Sequence, residues 1–519
     1  MTITSILDGL SKRTGPILTA LSLLAVALVV LDGLLGFQGF QFEWSDMWHH
    51  RATLLALGEN PFSPANPHVA THDLSRSYIP IYVLAGLLAH LMQFSPDISL
   101  FLVSVADIGL LLLGCALFSK ALGVRGALPL FVVLLFAWGY PPNFPGFHNL
   151  RSLGQINAIP AAHAFALTFI LWGLFIDTIG SGGRRLGRWA LITLLLAVII
   201  LSHQFTAMLC IGGMAIFCLL PRDVRPRRLL AAVVAIIIAF LISLAWPYFD
   251  LITILSSGAD KGWAPPHWFY DPVEVLKICF PTLLALVFLK EARSSRVIQI
   301  FGVSAIVIFL GYIGSRLMGV EAGHRLLPYW ILFLQLILFA VVFRAGDVPE
   351  TRLGTAARPL FLLAVMVLGA GQTLLTGLDM FKLPLERAGY TFFFDSPRDY
   401  RSIGRRIARD LPEDAIVVAH EDTAYPIQGF GIHVVSIPRV APMIPDLKTR
   451  QAATKAFFQP GLTCRQRLDI VAPFHATYAA FTASVLPEAT AHAIEALGPI
   501  ISYDRTIVVV RLPETCPVG

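Results

Sequence analysis

The sequence predicts an α-helical polytopic membrane protein with a soluble α/β domain in its C-terminal part. Three observations lead there. The chain is 56% hydrophobic and 14% charged, whereas soluble domains carry about 25% charged residues. Its mean hydropathy is +0.71. Its apolar residues are gathered in blocks of about 20, the length that crosses a hydrocarbon core, and its Arg and Lys residues fall between the blocks.

Twelve apolar blocks lie near 16–37, 79–94, 99–119, 126–140, 159–177, 188–202, 205–220, 228–249, 273–290, 297–315, 326–343 and 359–378. The first is long for a signal-peptide core and is followed by no clear small-residue cleavage site, so it reads as a span held inside by Lys12 and Arg13. Arg184, Arg185 and Arg188, then Arg222, Arg225, Arg227 and Arg228, then Lys290, Arg293 and Arg296, then Arg344, Arg352 and Arg358 mark the inner side. Alternation puts 142–158, 203–204, 250–272, 316–325 and everything after 379 outside. An inside N-terminus and an outside C-terminus require an odd number of spans, so the twelve blocks conflict between 79 and 141. The expectation is 11–13 transmembrane helices, with eleven favoured: a membrane module over 1–378, containing a long external loop at 38–78, and an external α/β domain over 379–519. The net charge of +6 follows from the inner basic clusters and gives no support for a nucleic-acid partner.

The tail alternates in type. Helices are expected at Arg398 to Leu411, Asp446 to Phe458 and Arg465 to Val471, and strands at 415–419, 477–481 and 506–511. Cys115, Cys210, Cys218 and Cys279 lie in apolar blocks and read as small core residues. Cys464 and Cys516 lie in the external domain, where an oxidising compartment permits a disulfide; two free thiols is the alternative.

The first loop reads Gln41-Phe-Glu-Trp-Ser-Asp-Met-Trp-His-His-Arg51. Asp46 follows the first span closely and is flanked by Trp44, Trp48, His49 and His50, at a depth that suits the membrane–water interface. A Gly58-Glu-Asn-Pro-Phe62 turn and Tyr78-Ile-Pro80 lead into the next block. This order of an apolar span, an Asp, a His-bearing helix, a Gly-x-Asn-Pro-aromatic turn and Tyr-x-Pro resembles the first periplasmic loop of the GT-C glycosyltransferases, which use polyprenyl-phosphate sugars. His324-Arg325-Leu-Leu-Pro-Tyr before a late span, Thr449-Arg450 through Phe457-Phe458, Arg467-Leu-Asp-Ile-Val and His475-Ala-Thr-Tyr-Ala-Ala480 resemble bacterial members of that superfamily. The motifs are short, so they point to a superfamily and not to a substrate.

The resemblance implies an inverting transferase in a bacterial inner membrane, with a cytoplasmic N-terminus and a periplasmic C-terminal domain. It would move a sugar from a polyprenyl monophosphate to a glycan, glycolipid or protein acceptor. It puts the general base on Asp46, where a carboxylate can take the proton of a poorly nucleophilic hydroxyl; the alternative for Asp46 is a helix N-cap. His49, His50 and Glu43 are the expected supporting groups. The second acid that many members carry is absent, because Met47 follows Asp46. A divalent cation is therefore unsupported, and no cofactor is expected.

Expected phosphate-binding residues are Arg325, His324, His203, Lys261 and Arg151. An interfacial, snorkelling Arg is the competing reading for Arg325, and a helix–helix contact is the competing reading for His203. Trp44, Trp48, Trp263 and Trp268 are candidate sugar or acceptor contacts, or interfacial anchors. Arg401, Arg405, Arg406 and Arg409 read as a solvated or lipid-headgroup face. No nucleotide-binding loop, zinc-ligand spacing or nucleophilic-serine motif is present in the sequence. Two other classes remain open at this stage: a lipid or polysaccharide transporter or flippase, and a non-catalytic partner in envelope-glycan assembly.

Overall fold

The structure, a computed structural model, describes residues 13–36, 47–71, 73–139, 149, 158–180, 186–220, 226–256, 271–287, 295–320, 323, 325–343, 359–368, 370–371, 374, 400–438, 441–503 and 507–516. In chain order the helices of the apolar part are α1 (Thr14–Gly36), α2 (Met47–Glu59), α3 (Pro80–Met92), α4 (Pro96–Ala121), α5 (Leu128–Phe136), α6 (Pro160–Gly180), α7 (Leu186–Ser202), α8 (Gln204–Phe217), α9 (Pro226–Leu244), α10 (Leu251–Ser256), α11 (Pro272–Val287), α12 (Arg296–Leu317), α13 (Leu326–Phe343) and α14 (Pro359–Leu368). Among the described residues, six helices are long and apolar enough to cross a membrane: α1, α4, α6, α9, α12 and α13. The blocks expected at 79–94 and 99–119 correspond to α3 and α4. With 13 residues, α3 is about 20 Å long, short of the roughly 30 Å hydrocarbon core. With 26 residues, α4 exceeds it. The third block of that stretch, near 126–140, corresponds to α5, whose nine residues are shorter still, so between 79 and 141 only α4 among the described helices has the length for a crossing of its own.

The chain divides into two units: Met1–Gly33, Ser104–Ala245 and Asp260–Leu378 form one, and Leu34–Val103, Trp246–Ala259 and Asp379–Gly519 form the other. The first is the membrane bundle. In α6 and α13, 89% of the apolar window is buried, against 22% in α9, so α6 and α13 make the bundle core and α9 turns Leu230, Ile237 and Leu241 outward. Inside, Phe118 meets Phe169 edge-on at 5.4 Å and Trp172 meets Phe217 at 5.1 Å. The Trp172 indole N–H donates to the Cys210 carbonyl at 3.0 Å. A Cβ at Gly213 would lie 2.4 Å from the Trp172 ring, so α8 passes Trp172 only because that position is glycine.

Basic residues gather at one end of this bundle. Arg188 pairs with Asp177 at 2.5 Å, Arg228 donates to the Ile179 carbonyl, and Arg296 donates to the Leu219 carbonyl at 2.8 Å. From there α7 runs to His203 and α8 returns to Leu219, while α12 runs from Arg296 toward Arg325. His203 and Arg325 therefore lie at the opposite end from the three arginines.

The second unit is a three-layer α/β structure. Its C-terminal elements are α15 (Tyr400–Asp410), β1 (Ile416–Ala419), α16 (Glu421–Gln428), β2 (His433–Val434), α17 (Leu447–Phe457), α18 (Cys464–Val471), β3 (Tyr478–Thr482), α19 (Glu488–Glu495), β4 (Ile500–Tyr503) and β5 (Ile507–Arg511). The sheet order is β2-β1-β3-β5-β4. β1 is parallel to β2 and β3, and β5 is antiparallel to β3 and β4. Successive strand residues face opposite sides. Val417, Ala419, Ala480 and Val509 pack under α15 and α16, together with Trp48 and Val69 of the first loop. Val418, Phe481, Val508 and Val510 pack on Phe457, Val471 and Ile494 of α17, α18 and α19. Arg467, 1% exposed, donates to the Phe457 and Gln459 carbonyls and so caps the end of α17. Cys464 and Cys516 are joined in a disulfide with Cα atoms 5.9 Å apart.

The first loop belongs to this unit structurally. The Val434 N–H donates to the His68 carbonyl at 3.0 Å, placing the chain around His68 along the outer edge of β2. Trp246 Nε1 donates to the Tyr78 carbonyl at 2.9 Å, and the Tyr248 hydroxyl donates to the Pro61 carbonyl at 2.7 Å.

Candidate active site

Two polar clusters stand out, one in each unit. In the bundle, His203 occupies the single residue between α7 and α8. Its backbone is extended, and its Nδ1 accepts from the Thr206 N–H as the N-cap of α8. That bond makes Nδ1 an acceptor, so the neutral ring carries its proton on Nε2. Arg325 immediately precedes α13. Its guanidinium lies 4.3 Å from the centre of the Phe205 ring. Tyr329, one turn further along α13 and 6% exposed, meets the Thr206 hydroxyl and the Arg325 charge. Two residues singled out separately in the sequence, His203 and Arg325, are thus brought to the same α8–α13 end. His324, Lys261 and Arg151 lie outside the described residues, as do Trp263 and Trp268.

A second ionisable pair in the bundle had not been anticipated. Asp107 of α4 and His163 of α6 face each other at 2.5 Å, 0% and 4% exposed. The available signal was a single acid inside an otherwise apolar block, which is costly unless paired.

In the second unit, Asp46, Glu43 and Trp44 lie outside the described residues, and α2 begins at Met47. The supporting histidines are described and buried. His49 Nε2 shares a hydrogen bond with the Ser77 hydroxyl, and its ring stacks on His68 at 3.9 Å and 19°. The His50 ring lies 5.3 Å from Tyr82. Asn66 fixes His68 by accepting from the His68 and Val69 N–H groups, the side-chain turn that Asn favours. Trp48, expected to touch sugar or acceptor, is 2% exposed. Its ring packs on Phe430 at 5.4 Å and against Gly429, so in this structure it is core. The physical reason is that its face completes the layer over β1 and β3.

Arg51, also unanticipated, holds the loop in place. Nε donates to Asp97 Oδ1 at 3.0 Å, Nη2 to Oδ2 at 3.3 Å, and Nη1 to the Gly429 carbonyl, while the guanidinium lies 4.3 Å from the Phe430 centroid. Nearby, burial and then the Glu413 charge push the Glu59 carboxyl up from its usual value. Burial, with Glu59 adding to it, pushes the Tyr78 phenol up as well. Burial pushes His433 down, opposed by a hydrogen bond to the Asn66 backbone. Among the described residues, no three His, Cys, Asp or Glu side chains converge as a metal-holding group.

No protein-family profile and no curated protein sequence matches the chain. Solved structures do. The arabinofuranosyltransferase AftD from Mycobacteria aligns over 96% of this chain and 40% of its own, at 15% identity and a TM-score of 0.56. The Archaeoglobus fulgidus oligosaccharyltransferase in its apo form aligns over 97% of this chain and 75% of its own, at 11% identity and a TM-score of 0.51. The chain spans about two fifths of the length of the mycobacterial protein. At these identities the likeness is one of fold alone.

Proposed function

We propose that this chain is a membrane glycosyltransferase that moves a hexosyl or pentosyl group from a polyprenyl-monophosphate donor to a periplasmic acceptor in a bacterial inner membrane. The observation that carries the reading is the α8–α13 cluster, in a bundle whose fold is shared with two glycosyltransferases. Arg325 offers a planar fork for a phosphate. Its stack on Phe205 holds the fork in place before ligand arrives. His203, with Nδ1 engaged by the Thr206 N–H, would direct its Nε2–H to a second phosphate oxygen.

In the proposed step, Asp46 takes the acceptor hydroxyl proton as that oxygen bonds to the anomeric carbon. The bond from the anomeric carbon to the phosphate oxygen breaks, and its electron pair leaves with the polyprenyl phosphate. The phosphate gains one negative charge, which Arg325 stabilises. Attack opposite the leaving group inverts the anomeric centre. The C-terminal domain, bound to the first loop, shapes the acceptor side.

Purified protein incubated with labelled polyprenyl-phosphate sugars and a periplasmic glycan fraction tests this. Donor-dependent labelling that disappears in Asp46→Asn, with donor binding retained, is the expected result. Movement of the lipid without formation of a glycosidic bond would instead mark a transporter. Wild-type turnover in Asp46→Asn would remove Asp46 from the role of base.

A further inference from the structure

The buried pair of Asp107 and His163 has no part in the step proposed above, yet its depth in the bundle ties it to that step. Both residues belong to the same compact unit as His203 and Arg325. Their depth can be read from Trp172 of α6. Its indole N–H donates to the Cys210 carbonyl of α8 at 3.0 Å, and its ring lies 6.5 Å from that of Phe333 on α13. The three helices run in the same direction, toward the basic end, where Asp177 near the end of α6 pairs with Arg188. His163 stands nine residues before Trp172, Arg325 eight before Phe333 and His203 seven before Cys210. At about 1.5 Å per residue these are rises of about 10–14 Å. The three basic side chains therefore lie within about one helical turn of a common level, at the end away from the arginine cluster.

The pair carries one unsatisfied atom. His163 Nδ1 meets Asp107 Oδ1 at 2.5 Å, with the two residues 4% and 0% exposed, while Oδ2 of Asp107 is buried and accepts no hydrogen bond among the described residues. A contact that served only to join α4 to α6 would be expected to satisfy both oxygens. A buried carboxylate needs a counter-charge, and the imidazole supplies it when both of its nitrogens are protonated. Nδ1–H then donates to Asp107, which leaves Nε2–H as the donor that can meet a ligand. We propose that His163 binds the phosphate of the donor lipid and that Asp107 is its positioning residue, fixing both the orientation and the charge of the ring. On the transferase reading, on which this rests, the pair adds a second cationic donor to Arg325 at the α8–α13 end. The Asp107 carboxylate also spares the bundle a bare buried imidazolium before ligand enters.

The test uses the full chain in uncharged detergent at constant ionic strength, with farnesyl phosphate and farnesol as probes, read by calorimetry. Thermal unfolding of the ligand-free protein is measured alongside. The wild type should bind the phosphate at least about ten-fold more tightly than the alcohol. His163→Gln should weaken the phosphate about ten-fold, as loss of a charge-assisted contact does, and leave the alcohol unchanged. Asp107→Asn should also weaken the phosphate alone. The double variant should weaken it no further than His163→Gln, because Asp107 acts through His163. It buries no unpaired charge, so it decides the matter even if a single variant fails to fold. A double variant that unfolds at a lower temperature but keeps the full preference for phosphate marks a tie between helices and overturns the proposal. If Arg325→Ala abolishes that preference while the double variant keeps it, the phosphate site stands and His163 is removed from it. A wild type that binds phosphate and alcohol alike would instead refute the phosphate site of the transferase reading, and this proposal with it.

Discussion

Replacing Arg51 with Met offers the sharpest test of how the first loop is held. Methionine keeps the length and the apolar stem and removes the fork. The Arg51 and Asp97 side chains are each 10% exposed, so the pair is shielded from water on both sides. The substitution deletes two bonds to a carboxylate, one to the Gly429 carbonyl, and the contact with the Phe430 face. Removing one partner of a buried pair costs about 3–5 kcal/mol. Two charge-assisted bonds at about 1.5–3 kcal/mol each give about 3–6 kcal/mol, which overlaps that range. For a unit of roughly 150–250 residues, each kcal/mol lowers the Tm by about 2–4 °C, so a fall of roughly 6–20 °C is expected. Arg405, 4.0 Å from Asp97 and exposed, lies on the water side, where an ion pair is worth about 1 kcal/mol or less. The assay is thermal unfolding of the full chain in detergent, for Arg51→Met, Asp97→Asn and the double variant. The double variant should lose less than the sum of the singles, by about 1.5 kcal/mol or more, because it buries no unpaired charge. A loss below about 1 kcal/mol, or strict additivity, would refute a pair that fastens the loop to the domain.

Three further outcomes follow. Reducing the Cys464–Cys516 bond, which closes a sequence separation of 52, should lower the stability of the C-terminal domain by about 4 kcal/mol on the loop-entropy relation; unchanged protease resistance in reductant would contradict this. Arg325→Lys keeps a charge but loses the fork and the stack on Phe205, and should reduce kcat/KM about 10–100-fold; wild-type kinetics would place phosphate recognition elsewhere. His433 has a folded-state pKa depressed by burial. Both states are neutral well above about pH 6.5, and as the pH falls below that the unfolded state takes up the proton first. Stability should therefore decline as the pH is lowered from about 6.5 toward 5.5, and His433→Gln should flatten that slope in unfolding measurements.

The sequence made the long elements readable and the short ones opaque. The apolar block at 159–177 and the strand at 415–419 stand close to α6 and β1 because each carries a full local pattern. β2 has two residues, too few for any period, and exists through its pairing with Ile416 and Val417. α16 holds Pro426, which argues against a helix until its packing on β3 is seen. At the candidate sites, Arg325 and His203 could be singled out because polar groups beside apolar blocks are expensive, while their approach through Phe205 belongs to tertiary structure. The burial of Trp48 is opaque in sequence for a related reason. An aromatic near an interface looks the same in sequence whether it faces a ligand or a protein core, and here Phe430, far along the chain, decided the matter.

The hydrogen bond from Val434 to His68 carries a consequence for biogenesis. The two-residue strand β2 is the outermost strand of its sheet, and its free side is covered by a segment made hundreds of residues earlier. A bare strand edge is a template for pairing with other chains. The first loop is made before the bundle helices and the domain after them, so the edge of β2 finds its cover only when the two meet. A fragment beginning near residue 379 would lack that cover and should self-associate through β2, whereas the same fragment supplied with residues 47–78 in trans should remain monomeric. The long loop would then act as a built-in assembly factor for the domain that follows the membrane bundle.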